Sequence, residues 1–455
     1  MRPQDISSLS FVFFTVVWSV KAIADPPGAA DAYVVPVDWS LFAVAAKESN
    51  DCRQAKRMLL NCARYNLAWM PGAAERIESG WREMTGRQAH DLVRPACAVS
   101  YATAVVLKAG VFAEEAVGLS QAETLARLRR LIRVTATAHD RKGWKYPWQS
   151  AFWAALLGHG GWLVWHDLDA ETRRRVADVV QYEADRFLAS GYSVPCRNGN
   201  GGDTKAEESA WNSMIFHVAC AMMPRHPNVP RWKEVCSELM ASAYAREADM
   251  GNETVLDGKP LREWLAGYNA RDDGTVVNHG FVHPDYMTCV TLKLRAHSTQ
   301  SLVGRPVPET TDFGATTVYR ALVTRRWPSP PFKPPGGTIY VPGRAEVYYP
   351  QGTDWFAGRI VIFYVLDVYA HRLGFDRGMG GRPAEYWMRL RAGRILQRQS
   401  QHAEGNVYGP EEFTTWPGRE QDSFWLVADA FLLQWLADRG ALSPKGNWRE
   451  GPSGR

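Results

Sequence analysis

The chain has 455 residues, 46% hydrophobic and 22% charged, which is long enough to bury a sizeable core without disulfide or metal staples. Nineteen tryptophans and 12% aromatic residues exclude disorder over most of the length, and no apolar run reaches the roughly 20 residues that a bilayer span needs. The net charge of +5, from 53 Lys and Arg against 48 Asp and Glu, is mild and scattered, which argues against a nucleic-acid partner.

At the N-terminus, Phe11 to Val20 (FVFFTVVWSV) is too short to span a membrane but fits the apolar region of a secretory signal. Ala22-Ile23-Ala24 supplies a small-x-small cleavage site, so residues 1–24 read as a signal peptide and the protein as secreted or periplasmic. A buried N-terminal helix or strand is the plain alternative. Seven cysteines at 52, 62, 97, 196, 220, 236 and 289 show no zinc spacing. Cys97, Cys220 and Cys236 sit in apolar helical patterns, and Cys52 with Cys62 is the one pair considered for a disulfide.

From there the apolar residues recur with a period of 3.6 almost throughout. Helices are expected near 39–49, 53–67, 90–112, 121–138, 147–165, 169–189, 204–223, 230–247, 286–296, 313–326, 354–373, 383–400 and 421–438. The best strand signal is Thr338-Ile339-Tyr340-Val341. Some helices are apolar all round, such as Phe152 to Leu157 and Ile360 to Val365, and their neighbours carry charged faces. That alternation predicts an all-α fold of two layers, about six helical hairpins closed into an (α/α) toroid over residues 25–455, with few or no strands. Long polar loops at 191–203, 248–285 and 328–353 are expected at one rim.

Three segments carry candidate chemistry. The first runs from Trp144 through Trp148 to Trp153, His159 and Trp162. Flat indoles suit sugar rings, and Trp144 and Trp148, at a loop-to-helix junction, are the better subsite candidates, with core packing as the alternative. The second is Gly199 to Ser213 (GNGGDTKAEESAWNS). Thr204 and Glu207 match a capping box, which makes Glu207 structural. Glu208 and Asn212 share an inward helix face beside Trp211, with Asp203 in the loop before them. The third is Arg271 to Tyr286 (RDDGTVVNHGFVHPDY), which packs Asn278, His279, His283, Asp285 and Tyr286 into nine residues. A hydrogen-bonded corner between hairpins is the plain alternative there. Metal ligation by His279 and His283 is not favoured, because Gly280 and Pro284 break the helix that a paired-histidine zinc motif uses. No cofactor is implied.

Asp273-Gly274-Thr275, followed by His279 and Tyr286, resembles the catalytic loop of the (α/α)-toroid polysaccharide lyases, the group of hyaluronate, chondroitin AC and xanthan lyases, with heparinase-like and alginate lyases as relatives. The chain as a whole also resembles a family of bacterial toroids, which adds no activity. The sequence departs from the lyase pattern in a shorter His-to-Tyr spacing, in having no β-sandwich domain after the toroid, and in offering no assignable catalytic arginine. The resemblance implies β-elimination on a uronic-acid-containing polysaccharide or oligosaccharide, with no metal. Asn212, with a histidine, would hydrogen-bond the substrate carboxylate and stabilise the enolate-like intermediate, His279 or Tyr286 would take the proton, and Tyr286 would protonate the departing O4, with Glu208 and His283 supporting them. Trp144, Trp148, Trp211, Asn278, Asp203 and Asp285 would line the substrate site. Two other readings stand beside it. One is a glycoside hydrolase using two carboxylates, Glu208 with Asp285 first among them. The other is a glycan-binding protein that needs only the aromatics.

Overall fold

Ser49 opens the first long helix, its Oγ accepting from the Cys52 N–H, and Thr85 with Gln88 forms a reciprocal capping box at the next. These are α1 (Asn50–Gly80) and α2 (Gly86–Lys108). Ser120 and Asp169 cap α3 (Gln121–His139) and α5 (Ala170–Asp185), which flank α4 (Ser150–Leu163). Then come α6 (Ala206–Met222), α7 (Val229–Ala243), the short α8 (Pro284–Thr288), α9 (Val290–Leu294) and α10 (Ala296–Ser301), then α11 (Ala315–Thr324), α12 (Ile360–Leu373), α13 (Ala384–Gln399) and α14 (Arg419–Asp438). The computed structural model describes residues 30–43, 46–140, 143–198, 202–412 and 416–449. The signal peptide expected over 1–24 lies outside the described residues. Strands are confined to three two-stranded antiparallel ribbons in the described residues, so the core is helix on helix. None of the helices described is long and apolar enough to cross a membrane.

Burial follows the apolar pattern of each helix. All residues of α6 are buried, and so is every residue of α14 from Glu420 to Leu436. By contrast α5 buries one stripe, Thr172, Val176, Ala177, Val179, Val180, Glu183 and Ala184, and turns its arginines outward. The deeply buried helices touch in succession: α2 packs on α4, α4 on α6, α6 on α9, α9 on α12, α12 on α14, and α14 on α2. The one-sided helices lie against them, α3 and α1 on α2, α5 on α4, α7 on α6 and α13 on α12.

Each of the six elements in that circuit puts a polar side chain into the interior. Arg295, between α9 and α10, donates from Nε to Asp429 of α14 at 2.9 Å. Tyr369 of α12 donates to the other oxygen of Asp429, and Tyr101 of α2 lies under the guanidinium of Arg295. His159 of α4 and His217 of α6 complete the set. Burial holds both imidazoles neutral, with Arg295 adding to the effect.

Several expectations need correction. Of the helix expected over 39–49, the described residues show a 3-10 turn, Trp39–Phe42, and Ser49 caps a new helix that starts at Asn50. The helix expected over 286–296 is broken into α8, α9 and α10 by tightened turns at Cys289 and Arg295. The one expected from 354 starts at Ile360, since Gly352 and Gly358 take positive φ and keep the intervening residues in a loop. The expected strand shrinks to Gly337–Thr338 against Arg326–Trp327, with a bridge from Tyr340 to Val347. Thr204 and Glu207 form no capping box: Lys205 is the N-cap of α6, and Thr204 Oγ1 has no partner among the described residues. Cys52 and Cys62 both sit on α1 and are free, ten residues apart, about 15 Å of helical rise and far beyond disulfide reach.

Candidate functional site

Val277–Asn278 and Phe281–Val282 form an antiparallel hairpin whose two-residue turn is His279-Gly280. Both turn residues have positive φ, +52° at His279 and +87° at Gly280, the twist that a tight hairpin needs. A β-carbon-bearing residue at the first position is unusual, and the turn holds its imidazole out from the rim. The loop before α6 adds to the same hairpin: Thr204 N–H donates to Val277 O at 3.0 Å, and Gly280 N–H donates to Gly202 O at 2.7 Å. The second and third candidate segments are therefore joined through their backbones.

His279 is the hub of a hydrogen-bonded chain. Its Nδ1 lies 2.7 Å from Asp354 Oδ2, and its Nε2 lies 3.2 Å from the Tyr286 hydroxyl. In the tautomer with the proton on Nδ1, Asp354 accepts from the ring and Nε2 accepts from the phenol. His283 Nε2 lies 3.3 Å from the other oxygen of Asp354. Trp355 packs against all three rings, with centroids 6.1 Å from His279, 5.2 Å from His283 and 4.8 Å from Tyr286. His279 and Asp354 are exposed, their side chains 37% and 48% accessible, while His283 and Tyr286 are buried behind them.

Burial sets the protonation of the inner groups. It pulls the His283 imidazole down to about 4, against the opposing pull of Asp354. It pushes the Tyr286 phenol upward, reinforced by the nearby carboxyl of Glu207. Burial is the largest single influence on Asp354 and raises it, but the bonds and charge of His279, with a backbone bond and His283, together outweigh it and hold the carboxyl below its ordinary range.

The other residues singled out in the sequence divide. Glu208 and Asp203 both accept from Lys205 Nζ, at 2.6 and 3.1 Å, so neither is a free acid. Asn212 stands on α6 six residues past its start, about 9 Å along the axis, buried and with Oδ1 unpartnered among the described residues. Trp148 is 51% exposed and meets Trp211 edge to face at 5.3 Å. Trp144 is fully buried, donates to Thr135 O and packs on His139, so its expected subsite role is withdrawn. Asn278 is buried in the hairpin. Asp285 is buried, accepts from the Tyr349 hydroxyl at 2.9 Å, and lies 3.6 Å from Arg359, an ion pair rather than a hydrogen bond. Burial pushes its carboxyl up to about 6, and Arg359 opposes that. The Asp-Gly-Thr segment has a structural task. Asp273 accepts from Thr275 N–H and Oγ1 and pairs with Arg325, and a side chain at Gly274 would meet the Thr317 carbonyl.

Sequence reasoning passed over four residues. Asp354, Trp355 and Arg359 lie in the loop that had been assigned to a helix start, where the signal was the glycine pair flanking Thr-Asp-Trp. Arg359 is held between the faces of Trp355 and Trp416, at 4.3 and 4.2 Å. The fourth is Glu207, whose carboxyl burial pushes up to about 8, with Glu208 and Asp203 adding to the rise. Two surface hollows of about 450 and 460 Å³ lie elsewhere, against the ends of α1 and α3 and on α13. Neither contains a chain of titratable groups like this one, so the site is defined by its hydrogen bonds. Comparison with protein-family models, with curated proteins and with solved structures finds no match in any of the three.

Proposed function

We propose that the protein is a carbohydrate-active enzyme, a polysaccharide lyase that cleaves a uronic-acid-containing glycan, and that its closed circuit of helices is an (α/α) toroid. The observation that carries the reading is the chain Tyr286–His279–Asp354, a phenol, an imidazole and a carboxylate in series at an exposed turn. In β-elimination the C5–H bond breaks, a C4–C5 double bond forms, and the C4–O4 bond breaks. His279 Nε2, its ring oriented by the Nδ1 contact to Asp354, takes the C5 proton. Tyr286, a neutral phenol under its raised pKa, gives its proton to the departing O4. Arg359, stacked between two indoles, is the candidate cation for the substrate carboxylate, with Asn212 as the amide donor. Trp148 supplies an aromatic platform for a neighbouring sugar. Export is part of the same proposal, since a polymeric substrate is met outside the cell.

A hydrolase reading would no longer rest on Glu208 with Asp285, which are held by Lys205 and by Tyr349. It would rest on Glu207, whose carboxyl keeps its proton at neutral pH. The deciding experiment incubates the protein with uronate and neutral glycans and follows ultraviolet absorbance and reducing ends together. A lyase raises both signals. Reducing ends without absorbance, or silence on every uronate, overturns the lyase assignment.

A further inference from the structure

His279, His283 and Asp354 have one feature that the proton chain does not use. Their three donor atoms face one another, all lying within 4.8 Å. Ligands of a tetrahedral ion bound at about 2.1 Å stand about 3.4 Å apart. The Asp354 oxygens stand 2.7 and 3.3 Å from the two imidazole nitrogens, so small shifts of one exposed carboxylate would open the space for an ion. We propose that His279 Nδ1, His283 Nε2 and the Asp354 carboxylate form a binding site for one divalent transition-metal ion of the zinc, iron(II) or manganese class.

The hairpin makes this geometry. A paired-histidine zinc motif on a helix aligns its imidazoles by the helical repeat, which Gly280 and Pro284 forbid here. Instead the two-residue turn carries His279 out and the strand after it returns His283 beneath, so a spacing of four reaches one point from an extended backbone. The donor set is two nitrogens and one carboxylate, which selects transition metals over calcium or magnesium. Nothing among the described residues holds the Nδ1 of His283, so its tautomer is free to present the Nε2 lone pair. No lysine or arginine bonds to Asp354 among the described residues. Arg359, whose charge acts on His283, is paired with Asp285 and stacked on two indoles. With His279 and Asp354 exposed, an ion has an entry path, and its remaining positions face solvent or an anionic oxygen of a ligand.

A second triad, Asp51, His371 and Glu385, has donor atoms equally close, but Arg389 already ion-pairs with both of its carboxylates. It is the internal control. Loading the first site with metal would also turn around the hydrogen bond to Tyr286, because His279 ligated through Nδ1 keeps its proton on Nε2 and donates to the phenol oxygen, so the metal-loaded form lacks the Nε2 lone pair that the proposed elimination uses.

The test is metal binding alone, independent of any glycan, so it fails or succeeds apart from the lyase reading. Chelator-treated full-length protein is titrated with Co²⁺, read by visible absorption, and with Zn²⁺, read by calorimetry. One equivalent is expected, with nitrogen-ligated cobalt bands. Replacing even an outer partner of a metal ligand weakens binding by roughly 10 to 100-fold, so losing a ligand should cost about 10²-fold or more. Asp354→Asn, at an exposed position, tests this without threatening the fold, and His283→Gln tests it from the buried side with circular dichroism as the folding check. His371→Ala should leave binding unchanged. No stoichiometric binding by the wild type overturns the proposal. So does binding that survives Asp354→Asn at full strength, or binding abolished by His371→Ala, which would place the ion at the second triad.

Discussion

A carboxyl group buried without a full set of partners holds its proton, and Glu207 is such a group, with Oε2 unpartnered among the described residues. Its folded pKa of about 8 stands above the ordinary 4.5, so the folded state binds the proton more tightly than the unfolded state. The stability this group contributes is full below pH about 4.5 and is lost as pH rises toward 8. Glu207→Gln removes the titration. Its melting temperature should match the wild type near pH 4.5, exceed it increasingly up to pH 8, and hold a constant margin above that. A margin independent of pH would show that the carboxyl is not protonated in the fold. At the inner end of the proton chain, Tyr286→Phe keeps the ring against Trp355 and removes the acid. On a responsive uronate glycan kcat should fall roughly 10²-fold or more, with Glu208→Gln costing less. The reverse order would favour a hydrolase and return attention to the carboxylates. Of these residues, the sequence pointed to His279, His283 and Tyr286 because polar side chains crowd into nine positions. It hid Asp354, which stands 75 residues beyond the histidine it touches, and it disguised Glu207 as a cap because the capping pattern is local while its burial is not.

Helix α1 runs through Pro71, which lacks the N–H that would bond the carbonyl four residues earlier. That carbonyl, of Leu67, accepts instead from Arg127 Nη1 of α3 at 2.9 Å. A proline in α1 is thus compensated by an arginine on its neighbour. Arg127→Ala should destabilise by about 1–2 kcal/mol, leaving the oxygen underused and losing the ion pair with Glu123. In a Pro71→Ala background, where an intrahelical bond re-forms, the same substitution should cost measurably less. Denaturant melts of the four proteins in that cycle give the coupling directly, and additive effects would mean the carbonyl bond contributes nothing. The sequence announced α1 through its apolar repeat but ended it near 67, because a proline ahead argues for a stop. Helices α4, α6, α12 and α14 bury nearly every side, so they were legible as long apolar runs rather than through a periodic face. Periodicity failed around Trp39–Phe42, where a short-range cap decides the backbone, and at 354–359, where positive-φ glycines do, and neither leaves a periodic trace.

Across the molecule, Arg295 and Asp429 are a buried ion pair joined by Tyr369 of α12 and Tyr101 of α2. Arg295→Met alone strands the Asp429 carboxylate and should cost about 3–5 kcal/mol. Pairing it with Asp429→Leu should recover most of that loss in thermal melts, since burying two apolar groups removes both desolvation penalties. A double variant as unstable as the sum of the singles would show that the two charges act separately. The all-α class was legible from the helical periodicity, whereas this interior network was not, because its members lie tens to hundreds of residues apart. One packing fact bears on how the chain is made. The face of α2 is completed by α14, some 310 residues later, and Arg94 of α2 bonds Asp422 of α14. At 5–20 residues per second, a ribosome needs roughly 15–60 s to cross that interval. Throughout it the apolar flank of α2 is without its cover, so a nascent chain arrested before residue 419 should be held by chaperones and cut readily by proteases, and should become resistant only once α14 has emerged from the exit tunnel.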